Sequence, residues 1–445
     1  VSGEVPAAGR EGEEHPAALV RQVGLPGAVV MGLGSILGTG VFVSLATAAG
    51  VAGGALAWAC VAAALVAGCN GLAAAELAAA HPVSGGTYEY GQRFLTPPVA
   101  FVAGWLFLLA KSASAATAAL GFAGYVLHAA GAEPRYGWRV PLALATVAGM
   151  TVLVGAGVRR SNVANGIIVS VTVAALGVFG AVTLGHGRGT AGGGGGGWPG
   201  WPGFLQGTAL LFVAYTGYGR VATMGEEVHH PRRTIPRAMV VTLGLTAVLY
   251  TAVAAGAVRT VGVEAFAGMG RGSGAPLSQV AEGLQVRWVA VLLTVGAMTA
   301  MLGVLLNLIL GLSRVLLAMA RRGDMPRAAA QLNAARTTPG VAVAAMGCVI
   351  GALVLVGDVR TAWSFSAFMV LTYYALTNVA ALRLPAESRL YPRVIPAAGL
   401  AGCLGLAFWV EAWVWMTGVA MIGAGLVWHA VARKTQNAKL KMQNQ

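Results

Sequence analysis

Charge is what this chain is short of. Only 10% of its residues are Asp, Glu, Lys or Arg, while 57% are hydrophobic; a soluble domain carries roughly 25% charged residues. With a mean hydropathy of +0.73, the composition excludes a soluble globular fold and points to a polytopic helical membrane protein. Acid is the scarcer sign, at 15 residues against 29 basic ones, giving a net charge of +14. Free in solution, that excess would suggest nucleic acid. Here the basic residues gather in alternate loops between apolar runs, so the lipid bilayer is the expected partner and nucleic acid is not. Cysteine is also rare: Cys60, Cys69, Cys348 and Cys403 all fall inside apolar runs, where a thiol behaves as a small apolar group. No disulfide, metal site or cofactor is expected. The segment 1–25 lacks the apolar stretch of a cleavable signal peptide, so none is expected there.

At roughly 20 residues per span plus short loops, the apolar part of the chain has room for about twelve helices. They are placed at 25–49, 53–78, 97–128, 138–157, 163–186, 204–225, 236–258, 286–320, 338–356, 360–383, 393–410 and 412–432. If the N-terminus is cytoplasmic, seventeen basic residues lie in inside loops and seven, including Arg135, Arg188 and Arg360, in outside ones. The positive-inside rule then puts both termini in the cytoplasm. Between the fifth and sixth spans, six glycines run from Gly192 to Gly197 and W-P-G-W-P-G follows. A flexible linker with interfacial tryptophan anchors accounts for this stretch.

The most informative stretch is V-M-G-L-G-S-I-L-G-T-G-V-F-V, from Val30 to Val43. Each glycine costs about 1 kcal/mol of helix propensity relative to alanine. Gly32, Gly34, Gly38 and Gly40 therefore mark a helix built to break. Broken backbone at membrane depth is tolerated only where protein or a water-filled cavity satisfies it. A close-packed G-x-x-x-G contact or a plain small-residue span is the simpler alternative. The sixth span decides between them, because Tyr215-Thr216-Gly217-Tyr218-Gly219, followed at once by Arg220, is a second glycine interruption five spans later. Paired interruptions of this kind point to a carrier's binding site near the midplane.

Four stretches are similar to the amino acid-polyamine-organocation family of secondary transporters. They are G-L-G-S-I-L-G-T-G-V-F at 32–42, E-L-A-A-A-H-P-V-S-G-G-T-Y-E-Y at 76–90, F-V-A-Y-T-G-Y-G-R-V-A-T-M-G-E-E-V-H-H-P-R-R-T-I-P-R-A at 212–238, and G-L-S-R-V-L-L-A-M-A-R-R-G-D-M-P at 311–326. The resemblance implies the leucine-transporter fold: an all-α integral membrane protein with a 5+5 inverted repeat, two C-terminal helices, and helices 1 and 6 discontinuous. The expected divisions are a cytoplasmic tail 1–24, a first repeat 25–186, an outer loop 187–203, a second repeat 204–383, two helices 384–432 and a basic cytoplasmic tail 433–445. It further implies an amino acid cargo in the plasma membrane, moved by alternating access with a proton, or alternatively sodium, as coupling ion.

Carried over position by position, the family pattern implies a site built mostly from backbone. Amides of Thr39, Gly40 and Val41 would open a half-helix whose positive end suits a carboxylate, with Gly38 and Gly40 letting the ligand approach the backbone. Carbonyls near Ser35 and Ile36, and near Val213, Tyr215, Thr216 and Gly217, would accept from the cargo's ammonium. Val213 stands where relatives often carry an aromatic gate, leaving Phe212 and Tyr215 as aromatic candidates. Relatives often have an acid where Gly219 stands. Without it, neutral amino acids are the expected cargo; a polyamine, organic-cation or cationic amino acid carrier or exchanger of the same fold is the alternative.

Lys111 lies about 20 Å along its helix from the cytoplasmic edge, at 1.5 Å per residue, too deep for snorkelling. A cation at such depth is by default functional. It is expected to cycle a proton or to stand in for a bound sodium ion; the simpler alternative is a structural pair with an acid or with carbonyls. Some proton-coupled relatives place a lysine where Thr172 stands, and threonine cannot do that work. Glu226, Glu227, Arg232, Arg233 and Arg237 read as a solvated loop or as an inner gate, with Glu226 and Arg232 as its candidate pair. Membrane enzymes need a His/Asp or Cys site at depth, and His128 and His186 fall near outer ends without an acid partner in view. A channel would want rings of charge or a re-entrant filter.

Overall fold

The apolar runs fold as helices, and no strand occurs among the described residues, only an isolated bridge between Val23 and Val228. The structure, a computed structural model, describes residues 23–81, 85–132, 136–157, 162–186, 197–222, 228–271, 274–333, 338–356 and 358–443. In order the helices are α1 (Leu25–Ile36), α2 (Leu45–Ala52), α3 (Leu56–Ala80), α4 (Thr87–Phe94), α5 (Pro97–Ala129) and α6 (Tyr136–Gly155). Next come α7 (Asn162–His186), α8 (Gly200–Tyr215), α9 (Gly219–Ala222), α10 (Pro231–Val261), α11 (Val263–Arg271) and α12 (Pro276–Gly283). The last are α13 (Arg287–Arg321), α14 (Gly340–Val354), α15 (Val359–Leu382), α16 (Val394–Ala407) and α17 (Ala412–Gln443).

Local sequence sets several of these boundaries. Proline opens α5, α10 and α12, where its missing N–H costs nothing and its φ already suits a helix. Asp358 caps α15, accepting from the amides of Arg360 and Thr361 at 3.3 and 2.9 Å, which satisfies two of the helix's orphan donors.

Among the described residues, eight helical stretches are long and apolar enough to cross a membrane. Their outward faces are apolar: Leu65 is 69% exposed and Val163 73%. Such surfaces suit hydrocarbon rather than water as solvent, and together with the stretches' length they make this a multi-pass membrane protein. The long helices hold together through small residues. α3, L-A-W-A-C-V-A-A-A-L-V-A-G-C-N-G-L-A-A-A-E-L-A-A-A, packs extensively on α10, and its Gly71 leaves room for Leu243. Close approach of this kind is how helices associate where burial from water offers no driving force.

The expected spans each contain helix, with three additions in what was read as loop. α4, α11 and α12 are short amphipathic helices, too brief for a membrane-length pattern. α4 and α12 bring new partners. Tyr88 of α4 donates to Asp324 beyond α13 at 2.7 Å, and Glu89 pairs with Arg322 at 2.5 Å. From α12, Glu282 reaches His128 at 3.0 Å. His128 therefore does have an acid partner, contrary to the sequence reading, although the pair is exposed at the end of α5 and not at membrane depth.

Candidate functional site

Two helices break, and the breaks touch. α1 stops at Ile36, Leu37 swings to extended backbone (ψ 104°), and winding resumes at Thr39 before a widened π turn over Gly40–Ser44. α8 stops at Tyr215, tightens to a 3₁₀ turn over Thr216–Tyr218 and continues as α9. A Cβ on Gly217 would land on the backbone of Ser35 and Ile36, and one on Gly40 would meet Ala214 at 2.7 Å. Glycine is thus required at both positions, by the α1 backbone at Gly217 and by the Ala214 methyl and Cα at Gly40.

At this junction lies a cavity of about 650 Å³, within the roughly 300–1,000 Å³ of small-molecule sites. Its wall includes Ser35, Ile36, Thr39, Gly40, Val213, Thr216, Gly217 and Lys111, and it extends past Arg220 to the exposed Arg314 and Arg321. That end is formed by the last turns of α13. Four basic residues line the cavity, and among the described residues it has no acidic one.

Among the described residues, the other expected ones do not line the cavity. Gly38 lies in the first break but faces Val304, whose Cγ2 a Cβ added there would meet at 2.7 Å. Tyr215 turns into the core, its hydroxyl donating to the Cys60 carbonyl at 3.1 Å and its ring 5.1 Å from that of Tyr250. Phe212 is buried edge-on against Tyr374, 5.9 Å between centroids. Thr172 is buried on α7, its hydroxyl given to its own helix at Ile168 O, 2.8 Å. Arg232 is exposed at the start of α10 and forms no ion pair among the described residues, while Glu226 and Glu227 lie outside them.

The amides need one correction. Val41 N and Phe42 N both donate to Gly38 O at 3.2 Å, so Val41 is not free. Winding restarts at Thr39 as expected, and Gly38 supplies the first acceptor. Thr39 and Gly40 then open the half-helix, where amides lack intrahelical partners. The Thr39 hydroxyl is buried at the cavity with no partner among the described residues.

Several of the freed carbonyls are occupied. Tyr250 O–H donates to Ile36 O at 3.0 Å and to Ala214 O at 3.3 Å, and Tyr374 O–H donates to Thr216 O at 3.2 Å. Both tyrosines were missed from sequence. Their rings are apolar enough for the interior, and each hydroxyl satisfies backbone that the breaks have exposed. Tyr90, Phe107, Trp363, Tyr373 and Tyr374 supply the cavity's aromatic surface instead of Phe212 and Tyr215. Trp363 is fixed by its indole N–H to Leu210 O, 2.9 Å.

Lys111 reaches from α5 to the second break, its ammonium donating to the Thr216 hydroxyl at 2.9 Å. That hydroxyl donates onward to Val213 O at 2.8 Å. The acid partner that a purely structural lysine would want is absent among the described residues.

A multi-pass helical bundle with a small-molecule cavity between two broken helices defines a solute transporter rather than a soluble enzyme or receptor. The amino acid permease family model matches residues 23–442, and the chain belongs to that family within the amino acid-polyamine-organocation group. It is 39% identical over 421 residues to an uncharacterized transporter of Mycobacterium tuberculosis, covering 94% of this chain and 92% of that one. The branched-chain amino acid permease of Bacillus subtilis is 27% identical, with 87% and 86% covered. A vacuolar cationic amino acid transporter of Arabidopsis thaliana is 28% identical, over 78% of this chain and 57% of the relative. Family and relatives are transporters, not enzymes, and amino acid transport is the activity they support.

Proposed function

We propose that this protein is a secondary active amino acid transporter that works by alternating access, is coupled to protons and favours neutral amino acids. The observation that carries this reading is the cavity at the two breaks, with the α1 restart on one wall and Lys111 on another. The α1 half-helix presents its positive end to a carboxylate, and the cavity's reach to Arg314 and Arg321 fits a conformation open to one side. On this reading the chain crosses a cell membrane twelve times as a 5+5 inverted repeat plus two helices. Both termini and the Arg314 mouth are cytoplasmic. Thr172 stands where some proton-coupled relatives carry a lysine and has no titratable group, so Lys111 takes the coupling role from α5.

The absence of any acid among the described cavity residues disfavours a second ammonium or a guanidinium on the cargo. The branched-chain permease among the relatives agrees with a neutral cargo, while the cationic transporter keeps the alternative in play. Purified protein is screened by thermal shift against the common amino acids and amines, since a ligand that binds the native state raises its melting point. Uptake and proton movement are then followed in liposomes. Neutral amino acids are expected to stabilise the protein and to drive proton entry. Lys111→Met is expected to abolish that entry, and a wild-type proton current in this variant ends the coupling assignment. Stabilisation by polyamines alone would replace the amino acid reading.

A further inference from the structure

We propose that Lys111 recognises the cargo's carboxylate directly, as its counter-charge in the cavity; this rests on the amino acid reading above. An ammonium carries three N–H donors and accepts nothing. Among the described residues the Lys111 ammonium has one acceptor, the Thr216 hydroxyl at 2.9 Å, and makes no ion pair. Carbonyls of the two breaks already accept hydrogen bonds from other groups: Val213 O from Thr216, Thr216 O from Tyr374 and Ile36 O from Tyr250. Ser114, a turn away on α5, is engaged with Ser366 at 2.9 Å. A buried cation so incompletely satisfied is costly, and the group that best completes it is an anion with several lone pairs.

The cavity's composition favours the same sign. Lys111, Arg220, Arg314 and Arg321 line it without a carboxylate among the described residues, a lining whose charge favours a carboxylate over a bare amine. Thr216 fixes the ammonium at the α8 break, facing the same space as Thr39 and Gly40. A carboxylate has two oxygens, enough to accept from the α1 half-helix on one side and from Lys111 on the other. The amides supply geometry and Lys111 supplies the charge that tells an amino acid from its amide.

The test uses full-length protein in detergent and the tightest-binding amino acid of the screen, together with its carboxamide and its decarboxylated amine. Wild type is expected to prefer the acid over the carboxamide by at least tenfold. Lys111→Met is expected to bring the two within threefold of each other, and Lys111→Arg to keep most of the preference. Thr216→Val, which removes the hydroxyl that positions the ammonium, is expected to weaken acid binding more than carboxamide binding. This variant tests the assignment even if Lys111→Met does not fold. A Lys111→Met protein that binds amino acids with the wild-type preference overturns the proposal, as do equal effects of Thr216→Val on both ligands or the lack of any preference in wild type. If wild type binds none of the amino acids, the transport reading itself has failed, which is a different result from binding without discrimination.

Discussion

Gly217→Ala puts the contact between the two breaks to a test of sign. On an ordinary helix, replacing glycine by alanine stabilises by up to about 1 kcal/mol. At Gly217 the added methyl would meet the Ser35 carbonyl and the Ile36 amide nitrogen, all main-chain atoms that cannot rotate aside as a side chain would. Forcing extra volume into packed structure costs about 1–3 kcal/mol, enough to outweigh the gain in propensity. Gly244 on α10 is the control, because nothing lies within 4 Å of a Cβ placed there. Gly244→Ala is therefore expected to melt at or slightly above wild type, and Gly217→Ala below it. Pushing the α8 turn away from α1 also distorts the cavity wall. A loss of about 1.4 kcal/mol of binding energy is tenfold in affinity, so cargo binding is expected to weaken by at least that factor. Melting curves in detergent and uptake in liposomes read the two effects separately. A Gly217→Ala protein that is more stable than wild type and transports normally would refute the juxtaposition on which the site depends.

Other perturbations follow from the same geometry. Tyr374→Phe strips the hydroxyl from Thr216 O; an unsatisfied buried acceptor costs about 1–3 kcal/mol, so this variant is expected to melt lower and bind cargo more weakly in the same assays. Asp324→Ala leaves the buried Tyr88 hydroxyl without its acceptor and is expected to cost a similar amount in a chemical melt. Arg322→Ala, whose ion pair with Glu89 is half open to solvent with side chains 47% and 16% exposed, is expected to cost less than about 1 kcal/mol. Trp363→Phe loses the bond to Leu210 O and hollows the cavity wall; a competition assay is expected to show a shift in preference toward bulkier side chains.

What the sequence disclosed, and what it hid, divides along a physical line. Gly38, Gly217 and Lys111 were legible because each is expensive where it stands: glycine weakens an apolar helix, and an ammonium is costly in hydrocarbon. An expense of that size needs a reason, and the reason can be inferred before any fold is known. Tyr250 and Tyr374 carry no such cost. An aromatic on a membrane helix is ordinary, and their role arises only when folding brings their hydroxyls to carbonyls at Ile36 and Thr216, 214 and 158 residues away. Phe212 and Tyr215 were placed at the site for the converse reason. Both were chosen as the aromatics nearest Val213, yet in the last turn of α8 it is Val213 and Ala214 that line the cavity while Phe212 and Tyr215 do not. At the restart of α1, the Val41 amide is used by Gly38 O. The glycines give away where a carrier's backbone opens, but what closes around that opening belongs to distant helices. Selectivity residues in such a protein are therefore best sought among the long-range hydroxyl and ammonium contacts to the breaks, with Lys111 and Thr216 the first pair to examine.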